Sequence, residues 1–142
     1  MNIYFACSVT GGREYEAIYQ SITKTLLGSG HVVPTAHLAD PGVVDLEKIV
    51  DAKEIYSRDV NWIRECDLLV AEISTPSHGV GYEICYALSL EKPVVCLHQK
   101  GVKVSKMITG NPHKQLKVFS YIDKDQAILH LQSFLKEIKS YL

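Results

Sequence analysis

The stretch from Leu68 to Leu90 leaves this chain few folds to choose from. Leu68-Leu69-Val70-Ala71-Glu72-Ile73 is a short apolar run of strand length and reads as a buried strand. Ile84-Cys85-Tyr86-Ala87-Leu88-Ser89-Leu90 reads as a buried helix. Between them lies Ser77-His78-Gly79-Val80-Gly81-Tyr82-Glu83. A Ser/Gly loop that opens a helix can offer backbone N–H groups and a hydroxyl to an anion. Glu83 is expected in the first turn of that helix, near the loop. A carboxylate beside a phosphate-sized anion site is electrostatically awkward, and it makes sense if the carboxylate acts chemically on whatever the anion anchors. The plainer alternative is a first-turn acid that complements the helix dipole. Spacing alone leaves both open.

The rest of the chain repeats the strand–helix alternation. Asn2 to Cys7 is an apolar run ending at Ser8, a first strand, and Ser8-Val9-Thr10-Gly11-Gly12-Arg13 is a polar turn after it. That turn is a second candidate anion loop, with a purely structural tight turn as its alternative. It lacks GxGxxG and GxxxxGK[ST], so it supports neither a dinucleotide fold nor a P-loop NTPase. Glu14 to Leu27 is near helical period and stops at Gly28 and Gly30. His31-Val32-Val33 is a short second strand, and Pro34 to Val44 is a loop carrying His37, which is either solvated or reaches a ligand at the strand ends.

Leu46 to Glu65 is predicted to be one helix capped by Asp45. Asp59 falls between Tyr56 and Ile63, close to its apolar stripe, and a buried acid is costly unless paired. Arg58 is its neighbour in sequence but is expected on another face. Trp62 reads as core or interface. After Leu68–Ile73, a fourth strand covers Pro93 to His98 and a fifth Leu116 to Tyr121; the polar stretch from Gly101 to Pro112 has room for one helical turn, and Asp123 caps a terminal helix.

Five strands alternating with helices imply one domain over residues 1–142: an α/β, open, doubly wound five-stranded parallel sheet of the flavodoxin/Rossmann-like three-layer kind. Ligands of such folds sit at the carboxyl ends of the strands, near the switch in strand order. If the first and third strands are neighbours, their loops flank one crevice and bring both anion-loop signals to Glu83.

Composition excludes several functions. At 142 residues the chain can bury a real core, and its 46% hydrophobic and 22% charged residues are ordinary for a globular protein. A formal net charge of −1 supplies no general field for nucleic acid, so phosphate recognition must be local. Cys7, Cys66, Cys85 and Cys96 lack metal-ligand spacing, which disfavours zinc. Cys7, Cys85 and Cys96 read as small core residues in a reducing compartment. No signal peptide is visible and no apolar run approaches the roughly 20 residues of a membrane span. The expected location is the cytosol, with the nucleus open by diffusion.

Taken together, Tyr4-Phe5, Ser8, Gly11-Gly12-Arg13-Glu14, His37-Leu38-Ala39-Asp40, Arg58-Asp59-Val60-Asn61-Trp62, Ala71-Glu72 and Pro76 to Glu83 resemble the 2′-deoxynucleoside 5′-monophosphate N-glycosidases. That group lies within the nucleoside 2-deoxyribosyltransferase superfamily. Lys92-Pro93 and Ser105-Lys106-Met107-Ile108 extend the resemblance over nearly the whole chain. It implies cleavage of the bond between a base and deoxyribose 5-phosphate, without metal or redox cofactor. It implies Glu83 as nucleophile and Asp59 as a second essential acid, either protonating the leaving base or holding a sugar hydroxyl. Tyr4 would contact Glu83 and the 2′ side of the sugar. Ser8, Ser77 and Gly79 would contact phosphate, with Val9 and Gly11 as further substrate-binding positions. Tyr19 and His37 would line the base or nucleotide site, and Ser105 and Met107 would come from the second subunit of a homodimer. Thr10 departs from the pattern by standing where vertebrate members carry an arginine, which leaves Arg13 or Lys106 as the compensating cation.

The chemistry also stands without the resemblance. A glycosidic bond breaks through an oxocarbenium-like state, which a carboxylate stabilises or traps covalently. A second acid with a raised pKa can assist departure of the base. Phosphate binding remote from the breaking bond helps position it. Four rival functions remain at this stage: deoxyribose transfer between bases, hydrolysis of ribonucleotides such as CMP, a non-catalytic nucleotide sensor, and a flavodoxin-like electron carrier. The three serines favour a 5′-phosphate and hence the hydrolase; the paired acids argue against a sensor, and the poor flavin phosphate loop against the carrier.

Overall fold

A computed structural model describes residues 1–140. The element order is β1 (Ile3–Ala6), α1 (Glu16–Gly28), a 3-10 turn (Ala36–Ala39), α2 (Val43–Ile49), α3 (Ala52–Glu65), β2 (Leu68–Glu72), α4 (His78–Ser89), β3 (Val94–Gln99), α5 (Lys106–Thr109), β4 (Leu116–Tyr121) and α6 (Lys124–Lys139). The four strands form one parallel sheet in the order β1-β2-β3-β4. Ile3 pairs with Leu68, Ala71 with Cys96, and Leu97 with Phe119.

Every residue of β1 and β2 is buried, because helices cover both sheet faces. Side chains alternate between the faces. Ile3, Phe5, Leu68 and Val70 pack with Ile22 and Leu26 of α1 and Leu131 and Phe134 of α6. Tyr4, Ala6, Leu69 and Ala71 pack with Ile63 of α3 and Ile84 and Ala87 of α4. Burying each large apolar side chain contributes roughly 1.5–3 kcal/mol relative to leaving it in water. This is a three-layer α/β architecture, and Tyr4 lies on its α3/α4 side.

The sheet has four strands where the sequence predicts five. His31-Val32-Val33 shrinks to a single parallel bridge between Val32 and Asn2. Val32 is 63% exposed while Val33 packs into the α1-side core, and Pro34 follows at once with no N–H to extend the ladder. The bridge still marks the topology. From β1 the chain goes outward to Val32 and then crosses back to β2, so the strand order reverses between β1 and β2. Those strands are neighbours, as the two-loop crevice requires. A Cβ on Gly11 would stand 2.7 Å from the Pro76 carbonyl oxygen, so the β1 and β2 loops touch there and only glycine fits.

Three local expectations fail. The helix expected from Leu46 to Glu65 breaks at extended Val50, and Asp51, not Asp45, caps α3 by accepting the Lys53 N–H at 3.2 Å. Asp45 lies in the first turn of α2, beside Lys48. Cys85 is exposed rather than core, on the side of α4 turned from the sheet, whereas Cys7 and Cys96 are buried. Asp123 caps α6 as expected, accepting the Gln126 N–H at 2.9 Å, and Lys106–Thr109 forms the expected helical turn.

Candidate active site

Tyr4 occupies the centre of β1 and is fully buried, so its hydroxyl needs a partner. It finds one on α4, donating to Glu83 Oε1 at 2.7 Å. Helix α4 begins at His78, capped by the Ser77 Oγ, which accepts the Val80 N–H at 3.3 Å. Glu83 therefore sits in the second turn, not the first. Dipole compensation fades beyond the first turn, which removes the plainer explanation for this acid.

The electrostatics follow from burial. Removal from water pushes the Glu83 carboxyl up to about 7; the Tyr4 hydrogen bond opposes the rise and the nearby Asp59 adds to it. Burial and the Glu83 charge raise the Tyr4 hydroxyl, so it stays a proton donor. Asp59 is also raised, by burial, against the pull of Arg58. Arg58 Nε donates to Asp59 Oδ1 at 2.8 Å, although the two were expected on different faces. Long side chains bend, and the guanidinium reaches around the helix while lying 5.0 Å from the Trp62 ring centroid.

Asp59 and Glu83 line one pocket of about 350 Å³ with Gly79, Ile55, Tyr56 and Tyr82. A neighbouring cleft of about 600 Å³ is lined by Gly11, Ser77, Lys103, Ser105 and Met107, with Thr10 at its edge. The first turn of α4 is the ridge between them: Ser77 and His78 face the cleft, while Gly79 faces the acid pocket. Glu83 and Ser77 thus border adjoining cavities, and Ser105 and Met107 reach the Ser77 cleft within a single chain.

Other expected residues stand further back. Ser8 is fully buried, and its Oγ has no hydrogen-bond partner; it lies 2.9 Å from where a Cβ on Gly11 would be, directly behind the cleft wall. Val9 packs on the α1-side core. Tyr19 is buried in that core too, edge-on to Phe5, with its hydroxyl unpartnered. His37 lines neither cavity; its ring meets Trp62 edge-on at 6.1 Å, and its Nε2 lies 3.6 Å from Glu47. Arg13 is not free to compensate for Thr10. Its guanidinium donates to the carbonyls of Ser8 at 3.1 Å, Leu38 at 2.8 Å and Asp40 at 3.0 Å, and pairs with Glu16. Lys106 lines neither cavity.

Two acids escaped the sequence reading of roles. Glu47 on α2 accepts from Arg58 at 3.1 Å and so ties α2 to the Asp59 side of the pocket. Glu72 ends β2 fully buried, accepting from the Tyr121 hydroxyl at 2.8 Å and from the N–H and hydroxyl of Ser74. Burial raises its pKa. The available signal was an acid closing an apolar strand; nothing local announced Glu47. Among the described residues, no group of three His, Cys, Asp or Glu side chains is arranged to hold a metal ion, and no helix is long and apolar enough to cross a membrane.

A family model described as nucleoside 2-deoxyribosyltransferase matches residues 3–125. A Methanosarcina mazei protein with the provisional name 2′-deoxynucleoside 5′-phosphate N-hydrolase 1 is 42% identical over 124 residues, covering 87% of this chain and 77% of its own. The Danio rerio 5-hydroxymethyl-dUMP N-hydrolase is 41% identical over 119 residues, 82% of each chain. The structure of Clostridium botulinum CMP N-glycosidase superposes with a TM-score of 0.65 over 92% of this chain and 98% of that one; at 18% identity it speaks for the fold. This chain belongs to the nucleoside 2-deoxyribosyltransferase family.

Proposed function

We propose that the protein hydrolyses the N-glycosidic bond of 2′-deoxynucleoside 5′-monophosphates, releasing free base and 2-deoxyribose 5-phosphate. The observation that carries this reading is the Glu83 carboxylate, bonded to Tyr4 at 2.7 Å in a pocket shared with Asp59 beside the first turn of α4. Relatives named as deoxynucleoside 5′-phosphate N-hydrolases support it.

Tyr4 fixes one oxygen of Glu83 and leaves the other for the anomeric carbon. The C1′–N bond breaks with its electron pair going to the base, and Glu83 forms an ester to C1′. Asp59 protonates the departing base or holds a sugar hydroxyl. Water then cleaves the ester, returning the carboxylate. Phosphate lies across the turn at Ser77 and Gly79, where α4 presents unpaired N–H groups. Ser8, Val9 and Gly11 shape the wall behind it, and Tyr19 and His37 support the nucleotide side.

The reading includes a homodimer, in which Ser105 and Met107 of one protomer complete the partner's site. Met107 is 83% exposed, an arrangement that water does not favour. The site requires no cofactor. The cytosol is the compartment that suits four unpaired cysteines.

Chromatography of products from a panel of ribo- and deoxynucleoside monophosphates, with and without an acceptor base, tests the function. The expected products are free base and 2-deoxyribose 5-phosphate regardless of acceptor. Formation of a new nucleotide only when an acceptor base is added would make the protein a transferase; cleavage of ribonucleotides alone would move the substrate class.

A further inference from the structure

The two cavities beside α4 carry opposite charge. The acid pocket is lined by Asp59 and Glu83. The Ser77 cleft is lined by no Asp or Glu and by one Lys or Arg side chain, Lys103. Among the described residues Lys103 makes no ion pair, while Arg13 is committed to three carbonyls and Glu16. The cleft also has hydrogen-bond donors without acceptors. Ser77 accepts the Val80 N–H, which leaves its own O–H to donate. His78 opens α4 on the cleft side, so its N–H has no intrahelical acceptor. The Ser8 hydroxyl, fully buried and unpartnered, lies directly behind Gly11 in the cleft wall.

We propose that Lys103 is the specificity-determining cation of this site, the group that makes it select phosphorylated over unphosphorylated deoxynucleosides. This deepens the monophosphate reading above and rests on it for the identity of the ligand. A phosphate monoester with a second pKa of about 6 is largely dianionic at neutral pH. Beside two carboxylates it would be repelled, and N–H dipoles and hydroxyls alone offer it no full opposite charge. Lys103 supplies that charge on the side of the turn away from Glu83. An ammonium acts as a point charge on a flexible stem, so an exposed lysine can close on the phosphate and release it. The same polarity suits the reaction. The anionic end of the substrate is drawn to the cleft, and the carbon that becomes positive is left at the acids.

The test compares kcat/KM for a deoxynucleoside monophosphate and for the same deoxynucleoside without phosphate, in wild type, Lys103→Ala and Lys103→Arg, across a salt series. It is paired with calorimetric binding of 2-deoxyribose 5-phosphate. Lys103→Ala should lower kcat/KM for the monophosphate by about tenfold or more, as expected for a lost charge-assisted contact, and leave the unphosphorylated substrate unchanged. It should also flatten the salt dependence, and Lys103→Arg should restore most of the loss. Equal losses on both substrates, or no loss on the monophosphate, would overturn the proposal. A wild type that cleaves no nucleotide yet binds 2-deoxyribose 5-phosphate through Lys103 would refute the hydrolase reading and keep the lysine. Binding that is absent, or unchanged in Lys103→Ala, would refute the lysine's role.

Discussion

Glu83 is held under two opposed demands. Burial favours its protonated form, while the proposed attack on a sugar carbon needs the carboxylate. With its folded pKa raised from the usual 4.5 to about 7, kcat/KM should fall as pH drops below about 7, and the limb should vanish with the residue. The same shift is a stability statement. The folded state binds this proton more tightly than the unfolded chain, so the stabilisation is complete below about pH 4.5 and is lost as pH rises through about 7. Glu83→Gln keeps an acceptor for Tyr4 and removes the charge. Chemical denaturation should therefore find it more stable than wild type by about 1–3 kcal/mol at pH 8 and equal near pH 4. Equal stability at both pH values would mean that Glu83 is better solvated than its surroundings imply. Asp59 stood out in the sequence as an acid close to an apolar stripe, and Glu83 as a carboxylate beside a Ser/Gly loop that opens a helix. The Arg58–Glu47 link was not, since it depends on a side chain bending around α3 and on α2 being a separate helix.

At the scale of elements, the site is two loops pressed together. Gly11 meets Pro76 with no room for a methyl group, so Gly11→Ala must push the β1 and β2 loops apart. A KM for the monophosphate raised on the order of tenfold or more, with a lowered melting temperature, is the expected result. An unaffected KM would show that loop contact does not shape the phosphate site. Helix α3 carries both Arg58 and Asp59, and its cap at Asp51 is worth about 1 kcal/mol. Thermal unfolding of Asp51→Ala should show a melting temperature lower by roughly 3–5 °C. The periodicity around residues 46–65 suggested one helix because apolar spacing continues across the break; only the stronger cap at Asp51 and extended Val50 divide it. The lost strand at His31–Val33 has the opposite lesson, since β-branched residues do not extend a strand into a proline that has no N–H for the ladder.

For the whole molecule, alternation of apolar runs and helical periods was enough to read a three-layer α/β fold with a parallel sheet, because apolar runs of strand length recur between segments of helical period. The meeting of the β1 and β2 loops stayed conditional on those strands being neighbours, because alternation alone does not give strand order; the sheet supplies it. What linear spacing could not convey is that the first turn of α4 divides the site into an acid pocket and a cationic cleft. The proposed homodimer belongs to this scale. Dilution until protomers separate should lower specific activity if Ser105 and Met107 act across subunits, with sedimentation reporting the assembly state. Constant activity in a proven monomer would place those residues' role within one chain, where they already line the Ser77 cleft.

Glu83 as the group that attacks the sugar is the claim everything else serves. Its most direct measurement is base release from a deoxynucleoside monophosphate by Glu83→Ala, with calorimetric binding of the same nucleotide alongside. A loss of turnover of at least about 10³-fold with binding retained is the expected result. Turnover within tenfold of wild type would contradict it.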